Sequence, residues 1–238
     1  MLVQEAFSRG MYGREVLPVI LQPTQQTRYP ADARIHSGHS DTVSFVNSDS
    51  FWRIIDAAGT DRAPFAEALV DHLADLAPEE ILEYQDHFLN IHDALYRWDV
   101  WAAAYLIGDG CSDDGFEDFR AGVIALGKDW TDKVSANPDN LADHPVVIAA
   151  AAEYDQDAIA DETVLYAAMT AYERGTGEGT FTEAWQQFQA TAPDSEPMTA
   201  TDEDLDFPDM GEPFDFSDHE QMHQRLPRLA ALYLHRDS

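Results

Sequence analysis

WDVWAAAYLIGDGCSDDGFEDFRAGVIALGK, residues Trp98 to Lys128, is the stretch whose reading decides the fold. Val100, Trp101, Ala104, Tyr105 and Ile107 recur at helical spacing, so one face of this segment is expected to be buried. Gly108 and Gly110 stop it, since glycine reaches the backbone conformations that close a helix at little steric cost. Ser112 suits the N-cap of a second helix because its hydroxyl can accept from a free amide of the first turn. Asp113 and Asp114 favour the positive end of that helix. Phe116, Phe119, Val123, Ile124 and Leu126 continue an apolar face to Gly127. The spacing predicts a helical hairpin whose turn region carries Cys111, Asp113, Asp114, Glu117 and Asp118.

Helical patterning extends outward from this hairpin. Helices are expected at Phe51–Ala58, Pro64–Leu76, from Pro78 onward, and over 113–126, 128–136, 156–174 and 181–190. One helix from Pro78 to Ile107 would be too long for an ordinary domain, which places a break near Asn90 to Asp93. Residues 1–49, with Pro18, Pro23 and Pro30, read as an irregular N-terminal arm with short strands around Val16–Leu21 and Val43–Val46. The Pro-rich acidic stretch 191–216 reads as a linker or surface-draped strap. Ser217 and Glu220 form a capping-box pattern for a C-terminal helix in 217–238, which Pro227 should end or kink. The predicted fold is all-α, a single helical domain over 50–190 with an arm before it and a strap and short helix after it.

Composition narrows the function classes. The 238 residues suffice for one substantial core. With 45 acidic against 14 basic residues the formal charge is -31, which repels phosphate backbones and anionic membrane surfaces. No direct nucleic-acid or membrane binding is therefore expected. The single cysteine, Cys111, cannot form an intramolecular disulfide or a multi-cysteine zinc site, and reads as a small buried residue of the turn. Neither a leader-like opening nor a membrane-length apolar run is present, so the expected location is the cytoplasm.

Two constellations could carry chemistry. Asp113, Asp114 and Glu117 read DDxxE, with Asp118 a fourth carboxylate, and this spacing can chelate a hard divalent cation. Helix capping explains the same residues, and Arg120 then serves as their salt-bridge partner. His219, Glu220 and His223 spell HEQMH, two imidazoles one helical turn apart with a glutamate available as general base. A third zinc ligand is not evident, since Leu226 stands where an extended motif would carry glycine and His235 lies beyond Pro227. Glu80, Glu83 and His87 share one helix face, read as a solvated acidic face. Tyr96, Trp98, Trp101 and Tyr105 read as core aromatics rather than a ligand cage.

The run AAYLIGDGCSDDGFEDFR, with PDNLAD from Pro138, Phe51-Trp52 and RLPRLAAL from Arg225, resembles the bacterial family of unknown function DUF4240, over roughly residues 50 to 236. One departure stands out: the family's Trp-Leu shortly after the FR pair is Gly122-Val123 here, so a site lined by that indole would be altered or enlarged. The resemblance implies a mostly helical cytoplasmic protein and supplies no catalytic residues. Two function classes follow. One is a binding or accessory module whose partner is a basic protein or a small molecule. The other is a metal-dependent hydrolase or lyase using the 113 to 118 carboxylates or the terminal HEQMH.

Overall fold

In the computed structural model, which describes residues 46–191 and 210–234, the first helix is opened by Asn47. Its side chain accepts from the Ser50 N–H at 3.0 Å while Ser50 Oγ accepts from the Asn47 N–H at 2.7 Å. This reciprocal cap satisfies two amides that the helix itself leaves free. The elements that follow are α1 (Ser48–Thr60), α2 (Phe65–Ala74), α3 (Pro78–Ala94), α4 (Trp98–Ile107), α5 (Asp113–Ala125) and α6 (Lys128–Ala136). Then come a 3-10 helix (Pro138–Asp143), α7 (Pro145–Glu153), α8 (Glu162–Leu165), α9 (Ala167–Thr176), α10 (Phe181–Thr191), α11 (His219–Arg225) and α12 (Pro227–Tyr233). Every regular element among the described residues is helical, as the sequence predicts.

The helices assemble as two groups joined by α5. The first consists of α1, α2, α3 and α9, and the second of α4, α6, α7, α12 and the 3-10 helix. α5 touches α3, α4, α6 and α8, so one continuous core runs through both groups. α4 is apolar on nearly every side, with Val100 to Ala104, Leu106 and Ile107 all buried, and such a helix is stable only when surrounded. Trp101 stacks on Phe116 of α5 at 4.7 Å, closing the hairpin that the Trp98–Lys128 stretch predicts. Phe216 lies against Trp98, Trp101 and Tyr105, and the Trp98 N–H donates to the Met210 carbonyl at 3.0 Å, so residues 210–216 lie along α4.

Several local expectations are corrected. The break after α3 lies at Leu95–Arg97, later than Asn90–Asp93, because Asp99 holds the restart. It binds the Arg97 guanidinium at 2.8 and 2.9 Å and accepts from the Val100 N–H at 2.9 Å. The expected helix over 156–174 is replaced by the end of an irregular loop over 154–161, then α8 and α9, while α7 is a helix ahead of it that the sequence reading does not predict. Pro145 at the first turn and His144 Nδ1 accepting from the Val146 N–H at 3.2 Å start α7. Asp161, not a residue near 156, caps α8 through the Thr163 N–H at 3.0 Å. The last region forms two helices rather than one: Pro227 ends α11 but occupies the first turn of α12. Asp218, adjacent to α11, displaces Ser217 as its cap and accepts from Glu220 and Gln221 N–H groups at 3.0 and 3.2 Å.

The Glu80–Glu83–His87 face is not simply solvated. Glu83 accepts from the Val46 N–H at 2.6 Å and His87 Nε2 donates to the Val46 carbonyl at 2.9 Å, so α3 grips the backbone of the chain as it enters the domain. Val46, at the end of one expected strand, is buried in non-strand backbone, and the rest of both strands lies outside the described residues.

Candidate functional site

The turn ahead of α5 is built as its residue types dictate. Ser112 Oγ accepts from the Gly115 N–H at 3.1 Å, and Asp113 and Asp114 stand exposed in the first turn. Cys111 is half-buried, and burial pushes its thiol up to about 12. It therefore stays protonated near neutral pH and is a poor nucleophile.

The four carboxylates of the sequence cluster part company along α5. Glu117 turns inward, where it binds Arg120, a residue only 2% exposed. Arg120 Nη1 also donates to the His92 carbonyl at 2.9 Å and to His92 Nδ1 at 3.1 Å. A guanidinium can only donate, so Nδ1 is the acceptor and the proton of His92 sits on Nε2, which donates to the Glu117 carbonyl at 3.1 Å. Burial, reinforced by the Arg120 charge, holds the His92 imidazole well below its ordinary pKa and so neutral. The guanidinium lies between the rings of Tyr96 and Phe116, 4.8 and 4.9 Å from their centroids. Its Nε is buried without a hydrogen-bond partner among the described residues. Arg120 thus partners one member of the carboxylate cluster and clamps α3 to α5. His92 is the partner that sequence reading missed, because its spacing from Arg120 follows no helical period.

Asp118 points the other way. Its carbonyl accepts from the Asp161 N–H at 3.2 Å, which draws the start of α8 onto α5. Asp114, Asp118, Asp161 and Glu162 are brought together there. Burial, then repulsion from Glu162, Asp114 and Asp161, pushes the Asp118 carboxyl up to about 6. Sequence reading named Asp114 and Asp118 but not Asp161 and Glu162, which arrive only through the loop before α8. That loop also answers the Gly122 departure. A Cβ on Gly122 would lie 1.5 Å from the Ile159 carbonyl oxygen, so the space an indole would take is filled by backbone. Beside it is a shallow depression of about 370 Å³, bordered by Ala58, Phe65, Leu126 and Ile159.

His219, Glu220 and His223 are exposed on α11, and His235 lies outside the described residues. Among the described residues no group of three or more His, Cys, Asp or Glu side chains is arranged to hold a metal ion. A buried carboxylate that sequence reading did not single out links two distant segments. Asp139, 3% exposed, accepts from the Leu229 N–H at 2.9 Å and the Arg228 N–H at 3.0 Å. It caps α12 from the 3-10 helix, where Pro227 leaves the first amides without intrahelical acceptors. Arg228 in turn pairs with Asp143.

The model of the protein family of unknown function DUF4240 matches residues 46–174. It takes in the Trp98–Lys128 hairpin and the 3-10 helix, and stops short of the Arg225–Leu232 segment to which the resemblance extended. No curated protein and no solved structure matches the chain.

Proposed function

The chain belongs to the DUF4240 family, whose function is unknown, and from the site alone we propose that it is a binding module for a basic protein or peptide segment. The observation that carries this reading is the Asp114, Asp118, Asp161 and Glu162 cluster, where burial, and then repulsion from its three neighbours, lifts Asp118 to about 6. The Glu162, Asp114 and Asp161 carboxylates repel a charge on Asp118 and so add to the effect of its burial. A cationic side chain placed among them would relieve that repulsion, so the cluster favours a lysine- or arginine-bearing partner. The net charge of -31 supports the same direction by accelerating encounter with cations at low salt.

Binding of a labelled oligolysine to the full chain tests the reading. Affinity should fall as salt is added, and should fall again as the pH drops through about 6, where Asp118 takes up its proton. An Asp118→Asn, Glu162→Gln variant should bind more weakly and lose that pH step. Absence of binding at low salt, or binding indifferent to the double substitution, would refute the proposal.

A further inference from the structure

The three large hydrophobic side chains that are well exposed among the described residues all fall within nine residues: Val146 at 42%, Ile148 at 48% and Tyr154 at 69%. They belong to α7 and its C-cap, PVVIAAAAEY. Only Val147 and Ala150 of α7 are buried against the domain. Pro145, Val146, Ile148, Ala149 and Ala152 face outward. A helix apolar on both faces is normally surrounded, as α4 is. Here one side meets α4, α12 and the 3-10 helix, and the other meets solvent. Tyr154 ends the helix with φ 61°, a left-handed conformation that disfavours a bulky side chain, and its side chain is exposed. Scattered exposed apolar residues are ordinary, but here Val146 and Ile148 stand at the two edges of the outward side of α7 with Pro145, Ala149 and Ala152 between them, and so broad an exposed apolar surface is the mark of an interaction surface.

The borders of that face say what fits it. At its C-terminal end Glu153, Asp155 and Asp157 are exposed, and Gln156 reaches the exposed Asp109 at 3.4 Å. The loop then runs on to Asp161 and the α8 cluster, so apolar face and acidic cluster are joined by one acidic segment. At the other end Asp143 is paired with Arg228. A second copy of a chain with charge -31 would set acidic border against acidic border. We infer that α7 docks an amphipathic helix whose apolar stripe is flanked by lysines or arginines, the stripe meeting Val146, Ile148 and Tyr154 and the flanks meeting the acidic loop. This rests on the reading of the protein as a module for basic partners, and adds the surface and the partner's apolar stripe.

The test uses the full chain and three labelled probes: a synthetic helical peptide with a leucine stripe between lysine flanks, a scrambled peptide of the same composition, and oligolysine. The striped peptide should bind about tenfold more tightly than the scrambled one, a ratio worth about 1.4 kcal/mol. A Val146→Ser, Ile148→Ser variant, altered only at exposed positions, should lose that preference and keep its affinity for oligolysine. A striped peptide with no advantage, or an advantage that survives the double substitution, overturns the docking face while leaving the basic-partner reading intact. Failure of all three probes, oligolysine included, removes that reading instead. Sedimentation supplies the remaining arm: a dimer dissociated by the double substitution would show that a second copy covers α7, and would overturn the inference.

Discussion

A guanidinium sealed inside a protein must be neutralised where it sits, because removing one partner from a buried ion pair costs about 3–5 kcal/mol. Arg120 meets this demand with the Glu117 carboxylate, the His92 carbonyl and imidazole, and two aromatic faces. Asp118, two residues earlier on the same helix, has no such compensation among the described residues and carries the clearest pH signature. In the folded chain it keeps its proton up to about pH 6, whereas the unfolded carboxyl releases it near 3.8. Between those values the native state binds more protons, so this group favours folding as the pH falls and opposes it as the pH rises. Asp118→Asn should therefore raise the thermal midpoint at pH 7.5, with the gap to the unaltered protein narrowing as the pH falls through about 6 and closing only near 3.8. His92 pulls in the opposite sense, since its unfolded imidazole protonates below 6.5 while the buried one resists, but it acts equally in both proteins and cancels. A gap that is absent at pH 7.5, or that persists unchanged at pH 5, would show that Asp118 is not repelled by its neighbours.

At the scale of elements, α5 works as a two-sided strut. One side holds α3 through Arg120 and His92, and the other holds the 154–161 loop through Gly122 and the Asp118 carbonyl. The Ile159 backbone occupies the position a Cβ would take, and backbone cannot swing aside as a flexible side chain can. Gly122→Ala should destabilise the protein by about 1–3 kcal/mol, the range for forcing extra volume into a filled site. Exchange of the Asp161 amide, bonded to Asp118, should quicken before that of the α4 amides. An unchanged denaturation midpoint would mean that the loop yields freely. Much of α5 is legible in the sequence: Ser112 as cap, its acidic first turn and its apolar face are all short-range features. α7 is not, although Pro145 and four successive alanines are in view, because a helix apolar on both faces lacks the amphipathic period that marks α5. The Asp139 cap of α12 spans 90 residues to Leu229, and no local pattern reports such a pairing.

At the scale of the whole molecule, charge dominates the response to solution conditions. With -31 formal charges on 238 residues, self-repulsion opposes the compact state, and salt screens it over a distance of about 10 Å at 0.1 M. The melting midpoint should rise steadily with added sodium chloride. A midpoint flat from low to high salt would show that the carboxylates are dispersed or already compensated by bound cations. No described helix is long and apolar enough to cross a membrane, and the apolar surface of α7 is short enough to be covered by a single partner helix. The sequence by itself determined the helical class, the Trp98–Lys128 hairpin, the capping of α5 and the excess of negative charge, because each depends on residues within a turn or two of one another or on composition alone. Only the tertiary structure decided that Glu117 turns inward to Arg120 while Asp118 joins Asp161 and Glu162, and that α7 keeps an apolar face outward. Those outcomes depend on which distant segments meet in the core, and the free energy of such meetings is stored in contacts that no single stretch of chain contains.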